Sequence, residues 1–214
     1  MDARGFTVGP VQENCWIVRR DAADTALIID PGDEADRLLD ATNAIGVRVE
    51  AILLTHTHFD HVGAVAPVAR ATGAPVYCPE LERQVLRDIM RYVPWPGFGP
   101  YESYDPDHLL KGGERLNLAG FEIDVLFTPG HSPGHVSYSI PDEQALFSGD
   151  VLFQSSIGRT DLPGGDTQTL LDSIAALMDA LPADTKVFPG HMGTTSLGHE
   201  RATNPFLRAG AFGG

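Results

Sequence analysis

Short apolar segments of this chain repeatedly end in side chains that bind metal ions, and this pattern constrains the fold more than any other feature. "AILL" at 51–54 leads directly into "THTHFDH" at 55–61, which holds three of the eight histidines. Three later segments end in the same way, "VLFTPGH" at His131, "ALFSGD" at Asp150 and "KVFPGH" at His191. Since α/β folds commonly place ligands at the carboxyl ends of strands, we expect these four strand ends to meet at one edge.

The residues at these strand ends have the types and the spacing of a metal centre. His56 and His58 stand two apart in extended chain, so they would project to the same side. After the turn, Asp60 and His61 can point back from the start of the next helix. Three histidines suit one ion, a carboxylate with two histidines suits a second, and another carboxylate such as Asp150 can bridge both.

The donor set also limits the metal. All donors are nitrogen or oxygen with no thiolate, which admits Zn(II), Fe or Mn(II). We expect two divalent ions, with Zn(II) as the first choice and Fe or Mn(II) as alternatives. The candidate metal ligands are His56, His58, Asp60, His61, His131, Asp150 and His191.

The order of predicted elements indicates two similar halves. In the first half, strand patterns alternate with helical patterns at 34–46 and 63–73. We expect each half to be a sheet covered by helices, so the prediction is an α/β fold of four layers (an αββα sandwich) in one domain spanning 1–214. The second half has hairpin, helix and strand patterns at 114–127, 135–153, 166–182, 185–191 and 197–208.

The segment from 80 to 110 interrupts this order. A helical pattern at 80–93 leads into a loop rich in Pro and Gly, with five aromatic residues between 92 and 104. Two interpretations stay open: a surface loop whose rings pack on the core, or a flap over a pocket. His108, at the end of this region, is expected to be solvated.

The charge of the chain argues against two classes of partner. A formal net charge of -14 should repel phosphate backbones and anionic lipid headgroups, so we expect neither nucleic acid nor membrane binding. The start of the chain lacks the pattern of a signal peptide, which predicts a cytoplasmic protein. Cys15 and Cys78 are expected to be apolar interior residues. Monomer and homodimer both remain open.

The ligand motif resembles that of the metallo-β-lactamase superfamily. Its signature HxHxDH stands at 56–61, and its later His, Asp and His match His131, Asp150 and His191 in order. By this resemblance the first metal would be held by His56, His58 and His131. The second would be held by Asp60, His61 and His191, with Asp150 between the two. The resemblance covers nearly the whole chain, but the superfamily includes hydrolases, nucleases and oxygenases.

Finer motifs are similar to those of the glyoxalase II-like (hydroxyacylglutathione hydrolase-like) group, which hydrolyses thiolesters. They are "TPGHSPGH", "LFSGDVLF", "SIGRTDLPGGD" and "PGHMGTTSLGHERATNPF". In that group a Gly-basic pair holds the carboxylate of the thiol, and Gly158 with Arg159 fills this place as a candidate substrate contact. The additional helical C-terminal region of glyoxalase II has no match before Gly214. The expected substrate is therefore a small-molecule thiolester of glutathione or of another low-molecular-weight thiol.

The expected mechanism follows from the metals. A water between two divalent ions loses its proton near neutral pH, since its pKa falls from about 15.7 to about 7. The resulting metal-bound hydroxide would attack the thiolester carbonyl, and the metals would stabilise the oxyanion. Asp60 and Asp150, the carboxylates of the ligand set, are the candidate catalytic residues.

Three further residues have expected roles beside the site. Asp30 ends "ALIID", and the resemblance implies that it lies next to the metal ligands. His135 and His199 also match family positions, and we expect both to be structural.

Several other functions share these motifs. A persulfide dioxygenase, an iron enzyme of the same fold, would use fewer ligands, matching His56, His131 and Asp150, and it also has "GRTD" and a late "NP". The complete sequences of the motifs "SIGRTDLPGGD" and "GHERATNPF" favour hydrolysis. A β-lactamase would be exported and a nuclease would need a basic surface, so neither is favoured. A non-catalytic metal-binding protein is the alternative from another class, and the complete ligand set argues against it.

Overall fold

Two six-stranded sheets form the two halves of the protein. The computed structural model describes residues 1–93 and 95–208. In the first sheet the spatial order follows the chain order; β1, β2 and β3 are antiparallel, and the strands from β3 to β6 are parallel. Its strands are β1 (Asp2–Val8), β2 (Glu13–Arg19), β3 (Thr25–Ile29), β4 (Arg48–Leu53), β5 (Val76–Pro79) and β6 (His108–Leu110).

The second sheet is mostly antiparallel. Its strands are β7 (Arg115–Leu118), β8 (Phe121–Phe127), β9 (Val136–Ile140), β10 (Ala145–Gly149), β13 (Lys186–Pro189) and β14 (Thr195–Ser196), and a separate hairpin contains β11 (Leu152–Phe153) and β12 (Ser156–Ile157). The spatial order is β14-β13-β10-β9-β8-β7, with one parallel pair, β10 with β13.

Helices cover the outer face of each sheet. They are α1 (Ala35–Ile45), α2 (Phe59–Val62), α3 (Val65–Thr72), α4 (Arg83–Arg87), α5 (Ile89–Tyr92), α6 (Thr167–Ala180), α7 (Leu197–Thr203) and α8 (Pro205–Arg208), with 3-10 turns at Glu80–Glu82 and Pro141–Glu143. Gly46 caps the C-terminus of α1, and its φ of 74° is the left-handed conformation that glycine adopts without strain. None of the described helices has the length and apolar composition needed to cross a membrane.

The apolar side chains alternate between two faces of each sheet, and this alternation creates the layers. In β3, Ile28 packs in the cluster shared with α1 and α3, whereas Leu27 and Ile29 pack against the second sheet. In the second sheet, Leu146 packs under α6 with Leu170. Each fully buried side chain of this kind stabilises the fold by about 1.5–3 kcal/mol. The predicted four-layer αββα architecture is confirmed.

Two predicted helices are broken by contacts that lie elsewhere in the fold. The pattern at 80–93 predicted one helix, but it breaks at Asp88 (φ -145°, ψ 48°). The reason is that Leu86 O accepts from Tyr104 N of the aromatic loop, at 3.0 Å, instead of continuing the helix. The pattern at 197–208 breaks at Asn204, because a residue before proline disfavours the helical conformation.

Two local features differ from the prediction. His108 is exposed, as predicted, but it begins β6 and does not lie in a loop, and its ring stacks on Tyr77 with centroids 4.4 Å apart. The hairpin pattern predicted over 135–153 ends earlier, because β10 ends at Gly149, whose φ of 48° turns the chain at Asp150. The next residues form the separate β11–β12 hairpin.

Candidate metal centre

Loops from both sheets bring the seven candidate ligands to one edge. The loop after β4 and the short helix α2 supply four of them from the first sheet, and the loops after β8, β10 and β13 supply three from the second. In chain order they are His56, His58, Asp60, His61, His131, Asp150 and His191. The structure thus brings every predicted ligand into one cluster.

Three histidines form the first group of donors. His56 Nε2 lies 3.1 Å from His58 Nδ1 and 3.2 Å from His131 Nε2. His58 Nδ1 and His131 Nε2 are 2.8 Å apart. Ligands at about 2.0–2.1 Å from a tetrahedral zinc ion stand about 3.3 Å from one another, so these nitrogens are spaced much as around one ion.

A carboxylate and two histidines form the second group, and Asp150 connects it to the first. Asp60 Oδ2 lies 3.3 Å from His191 Nε2 and 3.8 Å from His61 Nε2. Asp150 Oδ1 is 3.3 Å from His61 Nε2. Its Oδ2 lies 3.5 Å from His131 Nε2 and 3.6 Å from His191 Nε2. One carboxylate therefore reaches both groups, as its predicted bridging place requires.

Asp30 orients two of the ligand rings from beneath. Its Oδ2 accepts from His61 Nδ1 at 3.0 Å, which leaves the lone pair of Nε2 facing the cluster. The same oxygen accepts from Thr55 Oγ1 at 2.6 Å, so that hydroxyl in turn accepts from His56 Nδ1 at 3.0 Å. Asp30, His56 and His61 also converge within reach of one cation, but Asp30 Oδ2, His56 Nδ1 and His61 Nδ1 are already engaged in hydrogen bonds. Asp30 lies beside the ligands, as predicted.

Backbone carbonyls orient two more rings. His131 Nδ1 donates to Arg159 O at 2.7 Å, and His191 Nδ1 donates to Gln12 O at 3.1 Å. Both contacts leave the Nε2 lone pair directed at the cluster. His58 differs, because its Nδ1 is the atom that faces the other ligands.

Two buried atoms of the cluster show that its donor set fits a cation. Within the described residues, His61 Nε2 and Asp150 Oδ1 are buried and have no hydrogen-bond partner. Buried polar atoms are nearly always paired in native proteins. A divalent ion would satisfy both atoms at once, and imidazole with carboxylate is a donor set that zinc, iron and manganese accept.

The pKa values of the ligand histidines are shifted in opposite directions. Burial lowers the pKa of His56 well below its usual value, and burial together with His131 lowers the pKa of His58 to about 4. Burial also disfavours a charge on His61, but Asp150 and Asp60 raise its pKa well above the ordinary range. His56 and His58 are therefore neutral near pH 7, while His61 holds a proton in a place that a metal would take.

Glu82 ties two ligand loops together and was not identified from the sequence. Its Oε2 accepts from Thr57 Oγ1 at 2.8 Å, between the first two ligands. Its Oε1 accepts from Ser132 Oγ at 2.7 Å and Gly134 N at 2.8 Å, next to His131. Glu82 is buried although "ELER" reads as an exposed helix start, so the local pattern gave no signal.

Two other buried residues, His135 and Glu13, lie beside the ligands. His135 Nε2 accepts from the backbone N–H of Asp150 at 3.1 Å, which fixes that carboxylate's backbone and fits the expected structural role. His199 is exposed on α7, and its backbone N–H donates to Ser196 Oγ. Glu13 lies 3.8 Å from His61 Nδ1, and burial raises its pKa well above the usual value. Nothing in "QENCWIV" distinguished Glu13 as buried.

A cleft with a volume of about 490 Å³ opens over the cluster. Five of the candidate ligands form its floor, and Arg159 lies on its wall. The guanidinium of Arg159 pairs with Asp161 through two hydrogen bonds of 2.7 Å. Tyr92 and Trp95 bring the aromatic loop to the same cleft, and Phe59 anchors this loop through Trp95, Phe98 and Tyr101. The loop thus packs on the core and also lines the cleft.

Comparison with known proteins finds one matching family model and several relatives that align over nearly the whole chain. A family model described as "Metallo-beta-lactamase superfamily" matches residues 8–191. "Probable metallo-hydrolase YqgX" of Bacillus subtilis (strain 168) is 43% identical over 208 residues, which cover 97% of this chain and 98% of the relative. "Hydroxyacylglutathione hydrolase GloC" of Haemophilus influenzae is 36% identical over 211 residues, covering 98% and 99% of the two chains.

Solved structures show the same architecture. "BLEG-1 B3 metallo-beta-lactamase" superposes with a TM-score of 0.91 at 43% identity, over 97% of this chain and 100% of that one. "TTHA1623 in a di-iron-bound form" has a TM-score of 0.86 at 44% identity, over 95% and 100%. "ETHE1 from Myxococcus xanthus" has a TM-score of 0.77 at 25% identity, over 96% and 84%. Neighbours of one fold therefore differ in the reactions and metals that their names give.

Proposed function

The chain belongs to the metallo-beta-lactamase superfamily, and from this premise we propose that it is a binuclear metal-dependent hydrolase of thiolesters, similar to glyoxalase II. The observation that carries the proposal is the shared carboxylate of Asp150, which faces a three-histidine group on one side and an Asp-His-His group on the other. The likeness to GloC supports a thiolester as the substrate.

The residues of the cluster form two sets of ligands, and each set would hold one divalent ion. His56, His58 and His131 would hold one ion. Asp60, His61 and His191 would hold the other, and Asp150 would contact both. Zn(II) is the metal that we propose first, and Fe is supported by the di-iron form of TTHA1623. When bound, the ions would supply Lewis acidity to the carbonyl oxygen and lower the pKa of water to about 7.

The protein's own groups prepare the site for this chemistry. Hydrogen bonds from Nδ1 atoms to Asp30, Thr55 and backbone carbonyls fix the rings, so that little reorganisation accompanies the reaction. Asp60 and Asp150 lie on the floor of the cleft, and they remain the candidate catalytic carboxylates. Arg159, on the wall of the same cleft, is the candidate substrate contact.

Hydrolysis of two lactoyl thiolesters by metal-loaded protein tests the proposal. The substrates are S-lactoylglutathione and the S-lactoyl ester of N-acetylcysteamine, and turnover of either supports a thiolester hydrolase. His58→Ala should lower kcat/KM by at least about 100-fold. The loss of a hydrogen-bond partner that orients a metal ligand already lowers activity by about 10–100-fold, and this variant removes a ligand itself. His108→Ala, an exposed residue on β6, serves as the control. An undiminished rate in the His58 variant would contradict the proposed site.

Two other activities are tested in the same preparation. The likeness to ETHE1 leaves a mononuclear iron persulfide dioxygenase as the alternative, which would show one iron per chain and oxygen uptake with glutathione persulfide. The likeness to BLEG-1 makes β-lactam hydrolysis a second candidate, measured with a chromogenic cephalosporin. Oxygen uptake or β-lactam cleavage without thiolester hydrolysis would overturn the proposal.

A further inference from the structure

The upper walls of the cleft are apolar, although its floor consists of imidazoles and carboxylates. Phe153 and Ile157 line one wall, and Leu81, Tyr92, Trp95 and Met192 line the rim. The four rim residues are half of the eight large hydrophobic side chains that are exposed among the described residues. Exposed apolar side chains gathered in one place mark a binding surface for an apolar group.

Cationic side chains are almost absent from the same walls. Arg159 is the one Lys or Arg among the described residues that line the cleft. Its guanidinium is already engaged by Asp161 through Nε and Nη2, and its Cζ lies 5.8 Å from the ring centroid of Trp95. Besides the histidines, the other ionisable lining groups include Asp60, Glu82 and Asp150, all acidic.

This distribution of charge is unsuited to a thiol with several carboxylates. Glutathione carries two carboxylates and one ammonium group at neutral pH. Both carboxylates would lie against apolar walls in a protein of net charge -14, with one guanidinium that Asp161 already neutralises. Moving a carboxylate out of water without a partner is costly, so such a carrier would gain little from these walls.

We propose that the thiol carrier of the natural substrate is uncharged and largely apolar, in contrast to a glutathione-like tripeptide. This inference rests on the proposed thiolester hydrolysis. In that reaction one water is consumed, the carbonyl C–S bond breaks and a C–O bond forms. The products are a carboxylate, a proton and the free thiol. The acyl carbonyl lies over the metal-binding floor, and the thiol lies between the apolar walls.

A series of lactoyl thiolesters with one acyl group tests the carrier. The thiols are glutathione, N-acetylcysteamine, propanethiol and pentanethiol, assayed with metal-loaded protein by release of thiol. Each methylene that enters the apolar walls should raise kcat/KM by up to about fourfold, so the pentyl ester, with two more methylenes, should exceed the propyl ester by up to about 15-fold. The glutathione ester should be the slowest of the four.

The outcomes separate this inference from the proposed function. A kcat/KM for the glutathione ester equal to or above that of the uncharged esters would contradict the proposed apolar carrier. It would still support thiolester hydrolysis as the function. Absence of hydrolysis for all four esters overturns the hydrolase and the carrier together. Chain-length dependence with glutathione slowest supports both.

A second experiment uses the ion pair on the wall. Asp161→Asn removes the partner of Arg159 at an exposed position, and it should raise kcat/KM for the glutathione ester by up to about fivefold, the value of one surface ion pair. The N-acetylcysteamine ester should change by less than about twofold, because it has no carboxylate for the released guanidinium. Asp172→Asn, an exposed carboxylate on α6, is the matched control. Equal effects of Asp161→Asn on both esters would contradict the inference.

Discussion

Single hydrogen bonds from Nδ1 atoms decide which ring nitrogen four of the five ligand histidines present to the metal centre. Asp30 controls two rings, His61 directly and His56 through Thr55. The sequence identified Asp30 through the family resemblance, and the donors themselves through their positions after strands. It could not identify Thr55 or the carbonyl of Gln12, because such roles depend on the orientation of groups that are distant in the chain.

Asp30→Asn should weaken metal binding by about 10–100-fold, the usual effect of losing a partner that orients a ligand. The amide nitrogen cannot accept, so at the Oδ2 position it would lose the hydrogen bonds from His61 and Thr55 Oγ1, and at the Oδ1 position it would lose the one from Thr55 N. Competition with a chromogenic chelator measures the affinity. Asp36→Asn, on the exposed face of α1, should bind metal like the parent, and equal affinity in both variants would argue against the role of Asp30.

The stability of metal-free protein should decrease as the pH falls from 6.5 to about 4. The pKa of His58 is lowered from 6.5 to about 4, so in this window the unfolded state binds more protons than the folded state. This one group would remove about 3 kcal/mol from the free energy of unfolding across the window. His58→Gln should show a weaker pH dependence in thermal unfolding than the parent, whereas His108→Gln should keep it. An unchanged dependence in the His58 variant would contradict the assignment.

At the scale of elements, strand ends were predictable and helix breaks were only partly so. Each of the strands that lead to His56, His131, Asp150 and His191 has a short apolar run just before the ligand loop, which is why the edge of the site could be located. The break at Asp88 follows from Tyr104 bonding to Leu86, a long-range contact with no local signal. The break at Asn204, in contrast, has a local cause in Pro205 that the helical pattern obscured.

Glu82 connects two elements of the site, and Glu82→Gln should destabilise the protein by about 2–4 kcal/mol. The amide would place a donor where one carboxylate oxygen now accepts from Thr57, or from Ser132 and Gly134. Chemical denaturation of metal-free protein measures the change. Glu80→Gln lies in the same 3-10 turn but is exposed, so it should change stability by less than about 0.5 kcal/mol. Equal stability of the two variants would contradict the role of Glu82.

On the scale of the whole molecule, the two sheets meet at the metal centre as well as in the core. Val136 N donates to Thr55 O at 2.9 Å, and Tyr138 OH donates to Leu54 O at 2.6 Å, so β9 is bonded to the segment that precedes the first ligand. The αββα architecture followed from the order of elements. The hydrogen bonds that connect the two halves could not be predicted from the sequence, because they form between segments more than 80 residues apart.

The most direct test of the account is a titration of metal-free protein with Zn(II) or Fe(II), measured as bound metal per chain. The seven donors predict two ions for the parent chain. They predict one tightly bound ion for His191→Ala, which removes a donor from the second group alone. Binding of fewer than one ion by the parent, or of two equally tight ions by the His191 variant, would contradict the central claim that these strand ends form a binuclear centre.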